Sequence, residues 1–137
     1  MPYLFHQDEL PKLVSVTPGR ERIFFVSSEL ADTDATLAGI IRYKKGASSP
    51  YHFHENCEHF YFFLEGAGTV ETEEGETPIS PGTLVFIPAD AKHRLRASED
   101  STHFECQVPN LFKTTILEGT DDDLRWEKVD GKIWVQS

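Results

Sequence analysis

Residues 46–66 read GASSPYHFHENCEHFYFFLEG, and the placing of the histidines in this stretch decides what the chain can be. A strand sends alternate side chains to opposite faces, so His52 and His54 aim one way while Tyr51 and Phe53 aim the other. A second strand beginning near Cys57 supplies His59, and a later one supplies His93, just beyond Pro88. Neutral imidazole is the commonest metal ligand. Four such rings, distant in sequence, can converge on one ion if the sheet closes on itself.

Working outward, short runs rich in Val, Ile, Phe, Tyr and Thr alternate with Gly, Pro, Asp and Ser. This spacing predicts an all-β sandwich or barrel, with strands over 21–27, 36–44, 50–54, 57–64, 68–73, 83–87, 92–97 and 103–108. Lys45-Gly46, Glu65-Gly66-Ala67-Gly68, Glu74-Gly75, Ser80-Pro81-Gly82 and Pro88-Ala89-Asp90 supply the turns between them. Short helical turns are expected near 6–10 and 28–30, the second capped by Ser27 or Ser28. The tail, 118–137, opens on the acidic run Asp121, Asp122, Asp123 and closes on Ile133, Trp134, Val135, so it is expected to pack back on the barrel or on a second subunit. No repeat or low-complexity segment interrupts the chain.

Composition narrows the functional classes. A chain of 137 residues suits one compact domain, 1–137. A net charge of −10 opposes the phosphate backbone, so nucleic acid is not an expected partner. No apolar run is long enough to span a bilayer, the same charge repels anionic membranes, and the N-terminus, MPYLFHQDEL, lacks the pattern of a signal peptide. A cytoplasmic protein with two free thiols, Cys57 and Cys106, is the expectation. Lys92, Arg94 and Arg96 could receive a small anion, but a solvated strand face is the preferred reading. There is no phosphate-binding glycine loop, no Gly-x-Ser-x-Gly and no Cys-x-x-Cys, which removes nucleotide-dependent, serine-hydrolase and zinc-ribbon readings.

At this point the residues resemble a known family. Gly46, five residues, His52-Phe53-His54, four residues, His59, six residues, Gly66 is similar to the first motif of the cupins, with His at the usual Glu place. Gly82, Pro88, Asp90, His93 and Ala97 fall at the spacing of the second, with Asp for Gly and Ala for Asn. Asp tolerates the left-handed turn that Gly would adopt. The resemblance covers about 46–97 and implies a double-stranded β-helix, the jelly-roll barrel of a small single-domain cupin, in which His52, His54, His59 and His93 hold a divalent transition metal: Fe, Mn, Ni, Cu or Zn.

Glu58, beside His59, is the alternative ligand or a base. Counted back from Gly66, His59 takes the ligand place, sharing a face with Tyr61 and Phe63. A four-histidine shell leaves the ion its full charge, a stronger Lewis acid suited to an anionic, oxygen-bearing substrate, while a carboxylate would reduce it. Tyr61 is the candidate proton donor. Tyr43, Arg42, Gln107 and Cys106 are further candidates for the barrel lining, whereas His6 and His103 read as ordinary surface or core residues. The resemblance implies a metal-dependent enzyme on a small oxygenated organic molecule, foremost a dioxygenase-type oxidoreductase. An isomerase or epimerase, or a sugar- or carboxylate-binding module without turnover, are the alternatives, and a homodimer is expected.

Overall fold

Alternation along each strand builds the barrel. In the computed structural model, which describes residues 2–110, 112–128 and the backbone of 133–135, thirteen strands form two antiparallel sheets. The first contains β1 (Lys12–Ser15), β2 (Arg20–Val26), β3 (Leu37–Tyr43), β5 (Glu58–Glu65), β8 (Leu84–Ile87), β10 (Ser101–Val108), β12 (Arg125–Lys128) and β13 (Ile133–Val135). Their order is β13-β12-β1-β2-β3-β10-β5-β8. The second contains β4 (Tyr51–Glu55), β6 (Gly68–Thr72), β7 (Gly75–Ile79), β9 (His93–Ala97) and β11 (Lys113–Glu118), in the order β11-β4-β9-β6-β7. The all-β jelly-roll expectation is met.

All eight expected strands are present, and five more join them. The additions are short or polar: GETPI of β7 buries only Ile79, and RWEK of β12 buries only Trp126, so neither carries a clean alternation. The tail returns to the barrel as expected, with β12 pairing antiparallel to β1 through Val14 opposite Glu127. Of its three closing apolar residues, Ile133–Val135 pair backbone to backbone with β12.

The core lies between the sheets, where Leu13, Ile41, Phe63, Val70, Leu95 and Trp126 pack together. Burying a side chain the size of Phe63 is worth roughly 1.5–3 kcal/mol, so the inward rows hold the sheets face to face. Two turns matter for the site. Gly66 has φ +89, and a Cβ there would collide with the Asp100 carbonyl. Asp90 takes φ 66, the left-handed conformation expected of it, and its Oδ1 accepts the Asn56 amide at 3.1 Å, tying the turn after β4 to the turn before β9. The short α1 (Ser28–Ala31) is capped by Ser27, which accepts from the Leu30 amide at 3.1 Å. Cys57 and Cys106 are free and buried. Among the described residues no helix is long and apolar enough to cross a membrane.

Candidate functional site

Strand β4 turns His52 and His54 into the barrel and leaves Tyr51, Phe53 and Glu55 only half-buried. Its neighbours complete the cluster. His93 is the direct antiparallel partner of His52 from β9, and the two rings lie 4.3 Å apart between centroids. Ligand nitrogens of His52, His54 and His93 all fall within 4.8 Å of one another, as one ion requires.

Hydrogen bonds orient these rings. His52 Nδ1 is 2.6 Å from the Pro50 carbonyl and His93 Nδ1 is 2.9 Å from that of Ala91. A carbonyl oxygen only accepts, so both Nδ1 atoms carry the proton and both Nε2 atoms keep a lone pair for a metal. His54 Nδ1 lies 2.8 Å from Thr114 Oγ1, the residue opposite it on β11, while Gln107 Nε2 approaches His54 Nε2 at 3.3 Å. Burial holds all three rings neutral, the form a metal takes: His93 is pushed down to about 4, His54 to about 3 and His52 well below the usual range, the neighbouring histidines adding to the shift of the last two.

His59 is inward and buried on β5, with its ring 5.3 Å from His54 and 4.4 Å from Tyr61, but it stands outside the group of three. Its Nε2 lies 3.3 Å from Glu105 Oε2, and the other Glu105 oxygen accepts from Arg22 Nη2. Both acidic and basic partners are buried. Burial pushes Arg22 down to about 9, which still leaves it protonated at neutral pH. A carboxylate so paired accepts only, so His59 Nε2 carries the proton and Nδ1 the lone pair. That Nδ1 is buried without a partner. Burial and the surrounding histidines hold the ring neutral.

The structure thus gathers His52, His54 and His93 into one group, with His59 buried beside them and its Nε2 turned to the Glu105 carboxylate. Glu58, the alternative ligand or base, is exposed on the outer face, because it is one residue out of phase with His59. Tyr61 is buried next to His59, and burial pushes its hydroxyl well above 10, so it stays protonated. Tyr43 and Gln107 also face inward and are buried. Arg42 is paired with Glu21 at 3.8 Å on the outside, and Cys106 is a buried thiol raised by desolvation. His6 caps the 3-10 turn Gln7–Glu9, and His103 sits in the core against Tyr43, Tyr61 and Phe63. Lys92, Arg94 and Arg96 form no anion pocket: Glu73, Glu71, Glu76 and Glu118 pair with them. Arg94, moreover, is buried rather than solvated.

Sequence reasoning missed Glu105, Arg22 and Thr114. The signal for the first was parity, since Glu105 alternates with His103 and Gln107 on one face of β10. A cavity of about 30 Å3, lined by His52, His59, Tyr61, Glu105, Arg22 and Arg20 among others, adjoins these groups.

Known proteins share this arrangement of strands. The cupin-domain family model matches residues 39–106. Protein SchB of Streptomyces halstedii is 29% identical over 89 residues, 62% of this chain and 64% of SchB, so the match spans less than two thirds of that relative. KdgF from Halomonas sp. is 27% identical with a TM-score of 0.69, covering 78% of this chain and 94% of its own. The polyketide cyclase RemF from Streptomyces resistomycificus, at 18% identity, superposes with a TM-score of 0.74 over 90% of each chain, a likeness of fold alone. Since the family match takes in every strand that carries an inward histidine, and the architecture recurs in proteins of unlike sequence, this chain is a small cupin-fold protein.

Proposed function

We propose that the protein is a metal-dependent enzyme that moves a proton beside a carbonyl group of a small oxygenated organic molecule, as an isomerase or a related enolising enzyme does. The observation that carries this reading is the contact of His59 Nε2 with Glu105 Oε2 at 3.3 Å, which leaves Nδ1 as a buried, unpartnered base. His52, His54 and His93 would hold the ion, a divalent transition metal, and bound there it would supply a Lewis acid for the carbonyl oxygen. His59 Nδ1 takes the proton from the carbon next to the carbonyl, and the C–H electron pair moves onto oxygen as an enolate. Burial disfavours the imidazolium, and the Glu105 carboxylate 3.3 Å away offsets that cost while the proton is held; His59 then returns it to carbon, so atoms and charge balance. Tyr61, still protonated, is the neighbouring donor.

The test is solvent deuterium exchange into a panel of diketones and keto acids, followed by NMR on metal-loaded protein. Exchange that disappears in His59→Ala with metal retained supports the reading; exchange that persists in His59→Ala removes His59 from it. One observation favours a second reading, a dioxygenase: an all-imidazole group of three leaves the ion its full charge and open positions for oxygen ligands. Oxygen uptake in the same assay would favour it. Binding without exchange or uptake would indicate a non-catalytic module. A homodimer belongs to the proposal too, since Phe62, Leu64, Leu84 and Phe86 form an outward apolar row at the sheet edge.

A further inference from the structure

Two buried N–H groups in the barrel have no acceptor. Arg20 Nε and Trp126 Nε1 are both without a hydrogen-bond partner, in side chains 5% and 0% exposed. Both residues line the cavity that also reaches His52, His59 and Tyr61. Each group can only donate, so each is complementary to an oxygen and to nothing the protein offers. Leaving a buried donor unmade is costly, which makes the pair informative.

Charge points the same way. Arg22 is neutralised by Glu105, but Arg20 has no acidic partner among the described residues. Its Nη2 donates to the Asp123 carbonyl at 2.8 Å, and its guanidinium sits 5.0 Å from the centre of the Trp126 ring and 5.8 Å from that of Tyr43. These contacts position the cation without cancelling it. The cavity, about 30 Å3, has room for about two water-sized oxygens beside these donors, which suits the two oxygens of a carboxylate.

We infer that Arg20 and Trp126 form a carboxylate subsite, so that the substrate is a small organic acid whose carboxylate is held by these two residues while its reacting end faces the histidines. The assignment rests on the proposed function only in taking this cavity as the substrate's. Carboxylate capture itself needs no metal.

The experiment uses the metal-free full chain at fixed ionic strength, titrated with acetate, acetamide and inorganic phosphate. The 1H–15N resonance of the Trp126 indole, assigned through Trp126→Phe, and calorimetry report binding. Acetate is expected to shift that resonance saturably, with acetamide and phosphate inert. Arg20→Gln should weaken acetate at least about tenfold, the loss of a charge-assisted hydrogen bond. Trp126→Phe, which keeps an aromatic ring but removes the N–H donor, should weaken it severalfold. Equal responses to acetate and acetamide, or undiminished affinity in Arg20→Gln, would mean that water satisfies the two donors, and the subsite falls. Equal binding of phosphate overturns the carboxylate assignment. Should Arg20→Gln fail to fold, the wild-type comparison of acetate with acetamide decides alone. Acetate bound without deuterium exchange in any ketone leaves the subsite standing and removes the proton-transfer reading, while exchange without acetate binding does the reverse.

Discussion

Glu105 Oε2 lies 3.3 Å from Nε2 of His59, with neither side chain more than 7% exposed. The carboxylate therefore serves two neighbours, because its other oxygen takes the Arg22 guanidinium. Breaking such a pair leaves a buried charge behind, at a cost of about 3–5 kcal/mol, whereas replacing both members by apolar groups is close to neutral. Glu105→Gln is expected to lose that much stability in urea titrations. Arg22→Met combined with Glu105→Leu should recover most of it. Deuterium exchange should separate stability from function, since both proteins lose the group that orients His59, and a base properly held is worth about a hundredfold or more. Full exchange in the stable double variant would detach Glu105 from catalysis.

Metal content should divide the histidines into two sets. His52→Ala and His93→Ala are expected to abolish stoichiometric metal in elemental analysis, while His59→Ala retains it, because His59 stands outside the group of three. Glu58→Gln, on the exposed face, should change nothing. Thr114→Val removes the hydroxyl 2.8 Å from His54 Nδ1 and should lower metal affinity by about 10- to 100-fold in a chelator competition. Loss of metal in His59→Ala would instead support the four-histidine cage implied by the sequence motif.

What the sequence disclosed was whatever lies along one strand. The inward pair His52 and His54 and the outward place of Glu58 follow from a period of two, and the Gly66 ruler put His59 on the inner face. What lies between strands was hidden. Thr114 meets His54 only through the pairing of β11 with β4, and Glu105 reaches His59 from a strand 46 residues away. Arg20 and Arg22 alternate on β2 as a solvent-facing row would, yet both are buried. Polar residues mark the outer face of a half-buried sheet unless the barrel encloses a site, so pattern alone assigns them outward. Trp126, set among charged residues in the tail, gave no periodic signal at all.

The outward row on β5 and β8 gives a test of assembly. Leu84 is 60% and Phe86 52% exposed, and they face Phe62 and Phe60 across the strand pair at the edge of the sheet. Light scattering is expected to give a dimer for the native chain and a monomer for Leu84→Glu, with circular dichroism unchanged. A native monomer would remove the dimer.

Acid should unfold the protein, and the sign follows from the histidines. His93 is held at about 4, His54 and His103 at about 3, and His52 and His59 well below the usual range, with burial the first cause in each. In the unfolded chain a histidine titrates near 6.5, so below that pH the unfolded state takes up protons that the fold refuses, and stability declines as pH falls. Above pH 7 both states are neutral and the term vanishes. His103 isolates the effect, since it is fully buried, both its ring nitrogens lack partners, and it lies outside the three-histidine group. His103→Phe should be more stable than the native chain at pH 8. At pH 5 its advantage should grow by about 2 kcal/mol, the cost of protonating one histidine only in the unfolded state. Denaturant titrations at the two pH values measure this, and an advantage that stays constant would mean that His103 titrates normally in the fold.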